Sequence, residues 1–477
     1  MNTIFDFLIN STDNFSTKTA IITKESKCTY EELYLFSSIV SSALSKYPQN
    51  SVISIVFENS IDAIASYLGI LQSGCIAHII SPNTVTHNIS EQLNSAKPRV
   101  ILGAKTIIDR INVNVQSVDF DTILSNSKTQ EIKRTIRPTD IAYLIYTSGT
   151  TSKPKGVAIS HANATFSTSN IVKVLNYSKS DVDMLPLPLS HSFGLGCLHT
   201  SLCVGSTLIL HKNTMNPKEI FESASMYDAT TFAAVPATLT KLLNEFSDDL
   251  RHYFSNLRLI ITNSTYIPKE TVVGFRNILK KGKLATYYGL TEASRSTFMI
   301  FDSVGKEESV GLPAPGVLIK LVDDNDQNTK QGEIWIKGPN VIKNYWNDIE
   351  ADKGLKDGWL RTGDLGYFDD NGYLYLKGRL DDTINVAGEK VSPQEVESIV
   401  KLLVDIEEAV AIGSKHDVFG QVVKLFVKKT TNSPITKSEI MSHCIKYLER
   451  YKVPVSIEFV DDFPHTEYGK IKRFMLK

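Results

Sequence analysis

The chain has 477 residues, a formal net charge of −1, 42% hydrophobic residues and 22% charged residues. Its length exceeds one ordinary hydrophobic core and implies two or more domains, and its near-neutral charge argues against electrostatic capture of nucleic acid or an anionic membrane. The five cysteines are scattered and form no CxxC, so they read as buried thiols rather than as a disulfide framework or a zinc site.

In chain order, MNTIFDFLIN lacks the basic n-region of a secretory leader. The most apolar stretch, 61–80, is broken by Asp62, Gln72, Ser73 and His78, which is wrong for a bilayer span. A cytoplasmic protein with no membrane span is expected. SVISIVF (51–57) reads as a strand. The following IDAIASYLGILQSG sets Ile61, Ile64, Tyr67, Leu68 and Leu71 at helical spacing, with Gly74 as a stop. RVIL (99–102), STLIL (206–210), ATTFAAV (229–235) and LRLIIT (257–262) read as further buried strands, with helical stretches between several of them. This alternation predicts α/β layers with largely parallel sheets.

DIAYLIY (140–146) alternates like a strand and runs into YTSGTTSKPKGV (146–157). Thr147, Ser148, Thr150, Thr151 and Ser152 offer hydroxyls. Gly149 and Gly156 permit a tight backbone and close approach of a ligand, and Lys153 and Lys155 add positive charge. Such a turn after a strand presents N–H and hydroxyl donors to phosphate oxygens; a solvated polar turn is the alternative. Pro154 stands where a Walker loop has its second glycine.

The character changes near Gly378. A hairpin-like strand and polar turn precede a helix start in which Ser392 and Glu395 have capping-box spacing and Pro393 takes the first helical position. EEAVAIG and QVVKLFVKK read as strands, and Thr436 with Glu439 opens another helix at the same spacing. These elements predict a small α+β domain of residues 380–477 after a large domain of residues 1–379, with the boundary at 379–382. His443 and Cys444 are adjacent on a predicted helix and face different ways, which argues against a shared metal.

YTSGTTSKPKGV resembles the phosphate-binding loop of the AMP-forming adenylating superfamily, which comprises acyl-CoA synthetases, peptide-synthetase adenylation domains and luciferases. Ser152 occupies a position that is usually glycine in that family. The resemblance continues in order along almost the whole chain. It runs through CTYEELYLFSS (28–38), YLGILQSG (67–74), LPLSHSFGLG (187–196), YYGLTEAS (287–294), GEIWIKGPNVIKNYW (332–346), GWLRTGDLGYFDDNGYLYLKGR (358–379) and PHTEYGKIKR (464–473). It implies a large N-terminal domain of layered α/β subdomains with a small mobile α+β C-terminal domain, hinged near Asp381.

The resemblance also implies a two-step ligase. A small carboxylic acid attacks Mg·ATP to give acyl-AMP and pyrophosphate, and a thiol then takes the acyl group. Ser148, Gly149, Thr150, Thr151, Thr147 and Lys155 would hold phosphate. Tyr288 would stack on adenine, since an aromatic face is a generic base platform. Thr291 would donate to the α-phosphate, and Glu292 would hold Mg²⁺, a hard cation that takes carboxylates alongside substrate phosphates. Asp364 would accept from the ribose hydroxyls, with Arg379 on ribose or phosphate. Lys470 would bridge the carboxylate and α-phosphate, where an ammonium stabilises developing charge. His191 reads as a pocket or gate residue, with a core role as the alternative.

SHSFGLGCLH (190–199) contains no acid. Peptide-synthetase adenylation domains of the resembled family usually carry an Asp near this position for the substrate's amino group, so the resemblance implies an acyl or aryl acid rather than an α-amino acid. The segments 187–201, 262–268 and 288–300 would line the acid pocket. TNSTYIP (262–268) departs from the small Gly-Gly-Ala-type loop of acyl-CoA synthetases. Arg295 reads as a surface or structural charge or as a partner for an anionic substrate group. VAGEKVSP (386–393) resembles the segment that faces the thiol, with Asn385 in place of a lysine. Coenzyme A and the phosphopantetheine of an acyl carrier protein are both open as acceptors. A stand-alone amino-acid adenylating enzyme, a luciferase-like oxygenase and a non-catalytic nucleotide-binding protein are the rival classes.

Overall fold

The computed structural model describes all residues except 85, 110–114, 127–133, 148–153, 213–215, 265–266, 280, 303, 324, 381, 387–388, 417–418, 466–470 and 477. The chain divides into two units, residues 1–319 with 336–360 and residues 320–335 with 361–477. The boundary expected at 379–382 lies inside the second unit, and Asp381 lies outside the described residues.

In the first unit, β1 (Thr19–Ile22) and β2 (Lys27–Thr29) precede β3 (Val52–Val56), β4 (Ile76–Ile80), β5 (Ile101–Gly103), β6 (Ser117–Asp119), β7 (Ile141–Thr147) and β8 (Lys155–Ser160). The last six form a sheet of order β6-β5-β3-β4-β7-β8, parallel except for the β7–β8 pair. Every residue of β3 and β4 is buried, as unbroken apolar strands covered on both faces require. A second sheet takes β9 (Val182–Leu185), β10 (Thr207–Leu210), β11 (Thr231–Ala233), β12 (Leu259–Thr262), β13 (Lys283–Leu290), β14 (Ala293–Ile300) and β15 (Leu312–Pro313). With β1 and β2 it has nine strands in the order β15-β14-β13-β12-β11-β9-β10-β1-β2. Its body is parallel, and β2, β14 and β15 add antiparallel pairs at the edges. The expected α/β layering is the observed one.

The helix Ile61–Gln72 starts where the Ser60 side chain accepts from the Ala63 N–H, and it ends before Gly74, whose φ of +69° only glycine adopts readily. It packs on the helix Tyr30–Leu44 so closely that a Cβ at Gly69 would lie 2.6 Å from the Ser37 carbonyl oxygen. No helix of the described residues is long and apolar enough to cross a membrane.

The passages between units fall within β16 (Leu318–Val322), β17 (Gln331–Lys337) and β19 (Trp359–Phe368), with β18 (Leu355–Lys356) in the first unit. In the second unit β19 pairs antiparallel with β20 (Leu374–Arg379). A separate sheet orders β22 (Glu389–Val391), β21 (Ile384–Val386), β24 (Gly420–Lys429) and β23 (Ile406–His416), with β25 (Ser456–Phe459) on β24. Helices Pro393–Val400 and Lys437–Tyr447 supply Val396, Val400, Ile440 and Cys444 to its core.

Thr436 and Glu439 form the expected capping box. Ser392 and Glu395 do not. The Ser392 hydroxyl donates instead to the Lys377 carbonyl at 2.6 Å, and the Glu395 carboxylate pairs with Lys452 at 2.7 Å. His443 contacts the Ile399 carbonyl while Cys444 is buried, so the two do diverge.

Candidate active site

β7 and β8 flank the hydroxyl-rich loop, and Thr147 faces Lys155 across the pair, both half-buried. Ser148, Gly149, Thr150 and Thr151 lie outside the described residues. Gly156 is closely packed: a Cβ there would lie 3.0 Å from the Tyr146 ring and 3.1 Å from Trp346 Cβ, so these neighbours would have to give way slightly.

β13 and β14 form a hairpin that carries Tyr288, Thr291 and Glu292. Tyr288 is buried opposite Thr297, whose hydroxyl accepts from the Tyr288 N–H at 3.2 Å. Thr291 and Glu292 form the half-buried turn. The Tyr345 hydroxyl donates to Glu292 Oε1 at 3.0 Å, and the Ile342 N–H donates to the Glu292 carbonyl at 2.9 Å. Burial, and then the adjacent Glu292 carboxylate, hold the Tyr345 phenol well above its usual range, so it remains a donor. Tyr345 also bridges Val157, and the Trp346 N–H donates to the Gly156 carbonyl at 2.7 Å. The segment 339–346 thereby joins the strand leaving the loop to the turn holding Glu292. Asn163 fixes its start by donating to the carbonyls of Pro339 and Val341 at 2.7 and 2.9 Å. The Glu292 carboxylate, steadied by a neutral hydroxyl, is a hard oxygen donor of the kind Mg²⁺ takes.

In the second unit Asp364 on β19 lies opposite Arg379 on β20, with Arg379 Nε 3.3 Å from Asp364 Oδ1. Arg379 Nη2 donates to the Thr362 carbonyl at 3.1 Å, and the Asp364 N–H donates to Thr362 Oγ1 at 3.0 Å. Buried Glu333 holds the approach to this pair. Its carboxylate accepts from the Gly363 N–H, the Trp335 indole and Arg361. Lys470 lies outside the described residues.

His191 is the N-cap residue of the helix Ser192–Val204, and its carbonyl accepts from the Leu195 N–H at 2.8 Å. Burial lowers its imidazole to about 4, so it is neutral near neutral pH. Beside it opens a cavity of about 440 Å³, counting its mouth, lined by Tyr143, Ser167, Ser192, Gly196, Thr291 and Arg295 among others. The segments 187–201 and 288–300 therefore both contribute to the lining of this cavity. TNSTYIP is absent from its described lining; Asn263 there donates to the Tyr287 carbonyl at 3.0 Å. Arg295 is buried, not a surface charge.

Sequence reading passed over Tyr345, Glu333 and the helix His161–Leu175, which gives the cavity Asn163, Ser167 and Thr168. The available signal was the run of small polar residues in HANATFSTSN, more than an outward face needs.

In the first unit the Glu292 carboxylate and the Thr291 hydroxyl stand on a hairpin turn tied to the strand that leaves the hydroxyl-rich loop, and Thr291 also lines the cavity, an arrangement suited to an AMP-forming ligase that activates acids as adenylates. The chain belongs to the AMP-binding enzyme family, whose model matches residues 9–346, and the model of the AMP-binding enzyme C-terminal domain matches residues 395–470. It is 33% identical to a long-chain-fatty-acid–CoA ligase of Yersinia pestis over 83% of this chain and 72% of that protein. It is similar to ATP-bound MatB from Rhodopseudomonas palustris, with 25% identity and a TM-score of 0.92 over 100% of this chain and 98% of that one. It is also similar to o-succinylbenzoate CoA synthetase (MenE) from Bacillus subtilis in complex with its acyl-adenylate intermediate, with 27% identity and a TM-score of 0.89 over 99% and 97% of the two chains. The same Bacillus enzyme is known in complex with ATP and magnesium ion.

Proposed function

We propose that the chain activates a small carboxylic acid with Mg·ATP as acyl-AMP, releasing pyrophosphate, and transfers the acyl group to the thiol of coenzyme A, releasing AMP. The observation that supports this reading is the tie from the strand that follows the hydroxyl-rich loop through Tyr345 to the Glu292 carboxylate.

Thr147, Ser148, Gly149, Thr150, Thr151 and Lys155 hold the phosphates, and Thr291 donates to the α-phosphate. Tyr288 offers its ring to adenine. Asp364 accepts from the ribose hydroxyls, with Arg379 positioning that carboxylate and meeting ribose or phosphate. Glu292 holds Mg²⁺, which when bound neutralises phosphate charge. Lys470 stabilises charge developing on the carboxylate and phosphoryl oxygens. Such chemistry asks little covalent work of side chains; positioning and electrostatics carry it. His191, neutral at the start of the helix that supplies Ser192 and Gly196 to the cavity, does not compete for the phosphates as a cation.

The described lining of the acid cavity contains no Asp or Glu to receive an α-amino group, which favours a plain acid over an amino acid. The named relatives are CoA ligases, which favours coenzyme A over the phosphopantetheine of a carrier protein. The proposed site of action is the cytoplasm, where ATP and coenzyme A are at hand. The test is an acid panel scored by pyrophosphate release and thioester formation, with and without coenzyme A. Acid-dependent pyrophosphate and acyl-CoA are expected. Pyrophosphate exchange driven by amino acids alone, with no thioester, would overturn the reading.

A further inference from the structure

Arg295 is a buried cation, 5% exposed, in the wall of the acid cavity. Nη2 donates to the carbonyls of Ser192 and Phe193 at 3.0 and 3.2 Å, and Nη1 donates to Ser294 Oγ at 2.5 Å. The guanidinium stands 4.8 Å over the Tyr287 ring. All of these partners are neutral, and the buried Nε has no hydrogen-bond partner. By contrast, the half-buried Arg258 pairs with Asp181 and the half-buried Arg276 with Glu307. Among the described residues none pairs with Arg295. Nearby His199 is no counter-charge, since an imidazole is neutral or cationic, and burial and then Arg295 itself push this one down to about 3. Buried charges are retained where something pairs with them.

Two further features show that this position is built. Arg295 holds a φ of +55°, a left-handed conformation that non-glycine residues adopt at a cost and that gathers at functional sites. Gly196 makes room for it: a Cβ there would lie 2.0 Å from Arg295 Nη2. Arg295 also lines a second, smaller cavity of about 250 Å³ with Ile171, Tyr177, Phe193 and Tyr287. Thr291 lines only the first cavity and Arg295 lines both, so the guanidinium stands between the second cavity and the Thr291 end of the first.

We infer that Arg295 receives a second carboxylate of the substrate, so that the acid activated is a short dicarboxylate and the guanidinium bars long apolar acids from the inner cavity. This rests on the acid-activating reading above. One carboxylate reacts beside Thr291, and the other supplies the missing counter-charge, for which the guanidinium fork offers paired donors.

The test compares AMP release for matched acids, hexanoate with adipate and benzoate with isophthalate, by the wild type, Arg295→Met and Arg295→Lys. The wild type is expected to favour the diacid by about a hundredfold in kcat/KM, because a monoacid leaves a buried cation unpaired. Arg295→Met should lose that preference through KM and gain turnover on octanoate as the cavities join. Arg295→Lys should keep part of the preference. A wild type that favours the monoacid in both pairs, or an Arg295→Met with the wild-type ratio, overturns the inference. Should Arg295→Met fail to fold, the wild-type ratio and its fall in Arg295→Lys decide. If no acid gives AMP, the ligase reading fails separately. Thermal melting with adipate or hexanoate then still tests the anion site, and equal shifts in wild type and Arg295→Lys would overturn it.

Discussion

The Tyr345 hydroxyl donates to Glu292 Oε1 at 3.0 Å across 53 residues of sequence. A hydrogen bond to a charged acceptor is worth about 1.5–3 kcal/mol. Tyr345→Phe is therefore expected to lower kcat about tenfold or more and to raise the Mg²⁺ concentration needed for half-maximal rate. Glu292→Ala should lose far more. Pyrophosphate release titrated with Mg²⁺ at saturating ATP measures both. An unchanged Mg²⁺ response in Tyr345→Phe would show that the tyrosine does not orient a metal ligand.

Asp364 faces Arg379 at 3.3 Å in the second unit. Two ribose hydrogen bonds to its carboxylate would contribute at most about 1.5–3 kcal/mol each. Asp364→Ala is thus expected to raise the KM for ATP while leaving that for the acid nearly unchanged. Steady-state kinetics with each substrate varied in turn decides this. An altered acid KM beside a wild-type ATP KM would remove Asp364 from the nucleotide site.

The strands of the first unit were legible in sequence because parallel strands covered on both faces are unbroken apolar runs: SVISIVF and LRLIIT need no partner to be recognised. The motif residues were legible by their order along the chain. Side-chain partners across long separations were not. Nothing local to Glu292 names Tyr345, and nothing local to Gly363 names Glu333. Ser392 shows the converse failure. Its spacing to Glu395 is that of a capping box, yet tertiary partners Lys377 and Lys452 take both side chains. Arg295 was ambiguous because a charge reveals its burial only once Gly196 and Tyr287 enclose it.

Burial lowers His161 and His191 to about 4 and His78 and His199 to about 3, from an ordinary value of 6.5. Their folded values are depressed, so the unfolded chain binds more protons between about pH 6.5 and 3–4. Stability from these groups is complete above the unfolded value and is lost as pH falls through that window, by up to about 1.4 kcal/mol per histidine per pH unit. Asp183 opposes this: burial raises it to about 6, so falling pH favours the fold there. Burial raises Glu58 and Asp62 as well, but the four histidines outweigh these carboxyls, and Tm should fall from pH 6.5 to 4. A Tm flat over that range would refute the buried-neutral assignment.

Lys470 and Asp381 lie outside the described residues, and the roles proposed for them separate the half-reactions. Lys470→Ala is expected to abolish acyl-AMP formation while still converting supplied acyl-AMP and coenzyme A to thioester. Asp381→Pro should do the reverse, since fixing φ near about −65° resists the rotation a hinge must absorb. Single-turnover assays of each half-reaction report on both variants. Equal loss of both steps in both variants would favour a single closed site.

Gly194 and Gly196 lie two positions apart on the helix Ser192–Val204, yet a methyl group meets different obstacles at each. At Gly194 it would lie 2.3 Å from the Pro188 carbonyl oxygen, which is backbone and cannot yield cheaply. At Gly196 it would lie 2.0 Å from Arg295 Nη2 and 2.5 Å from Cζ, the far end of a flexible side chain. Alanine also favours helix over glycine by about 1 kcal/mol, which offsets part of either cost. Gly194→Ala is therefore expected to lower Tm. Gly196→Ala should fold with Tm near the wild type's but swing the guanidinium away from its carbonyl partners, so the preference for adipate over hexanoate should fall about tenfold, one lost charge-assisted contact. Thermal melts and the ratio of kcat/KM values for the two acids read the two effects apart. A Gly196→Ala protein that keeps the full ratio would show that selectivity does not depend on where this guanidinium stands.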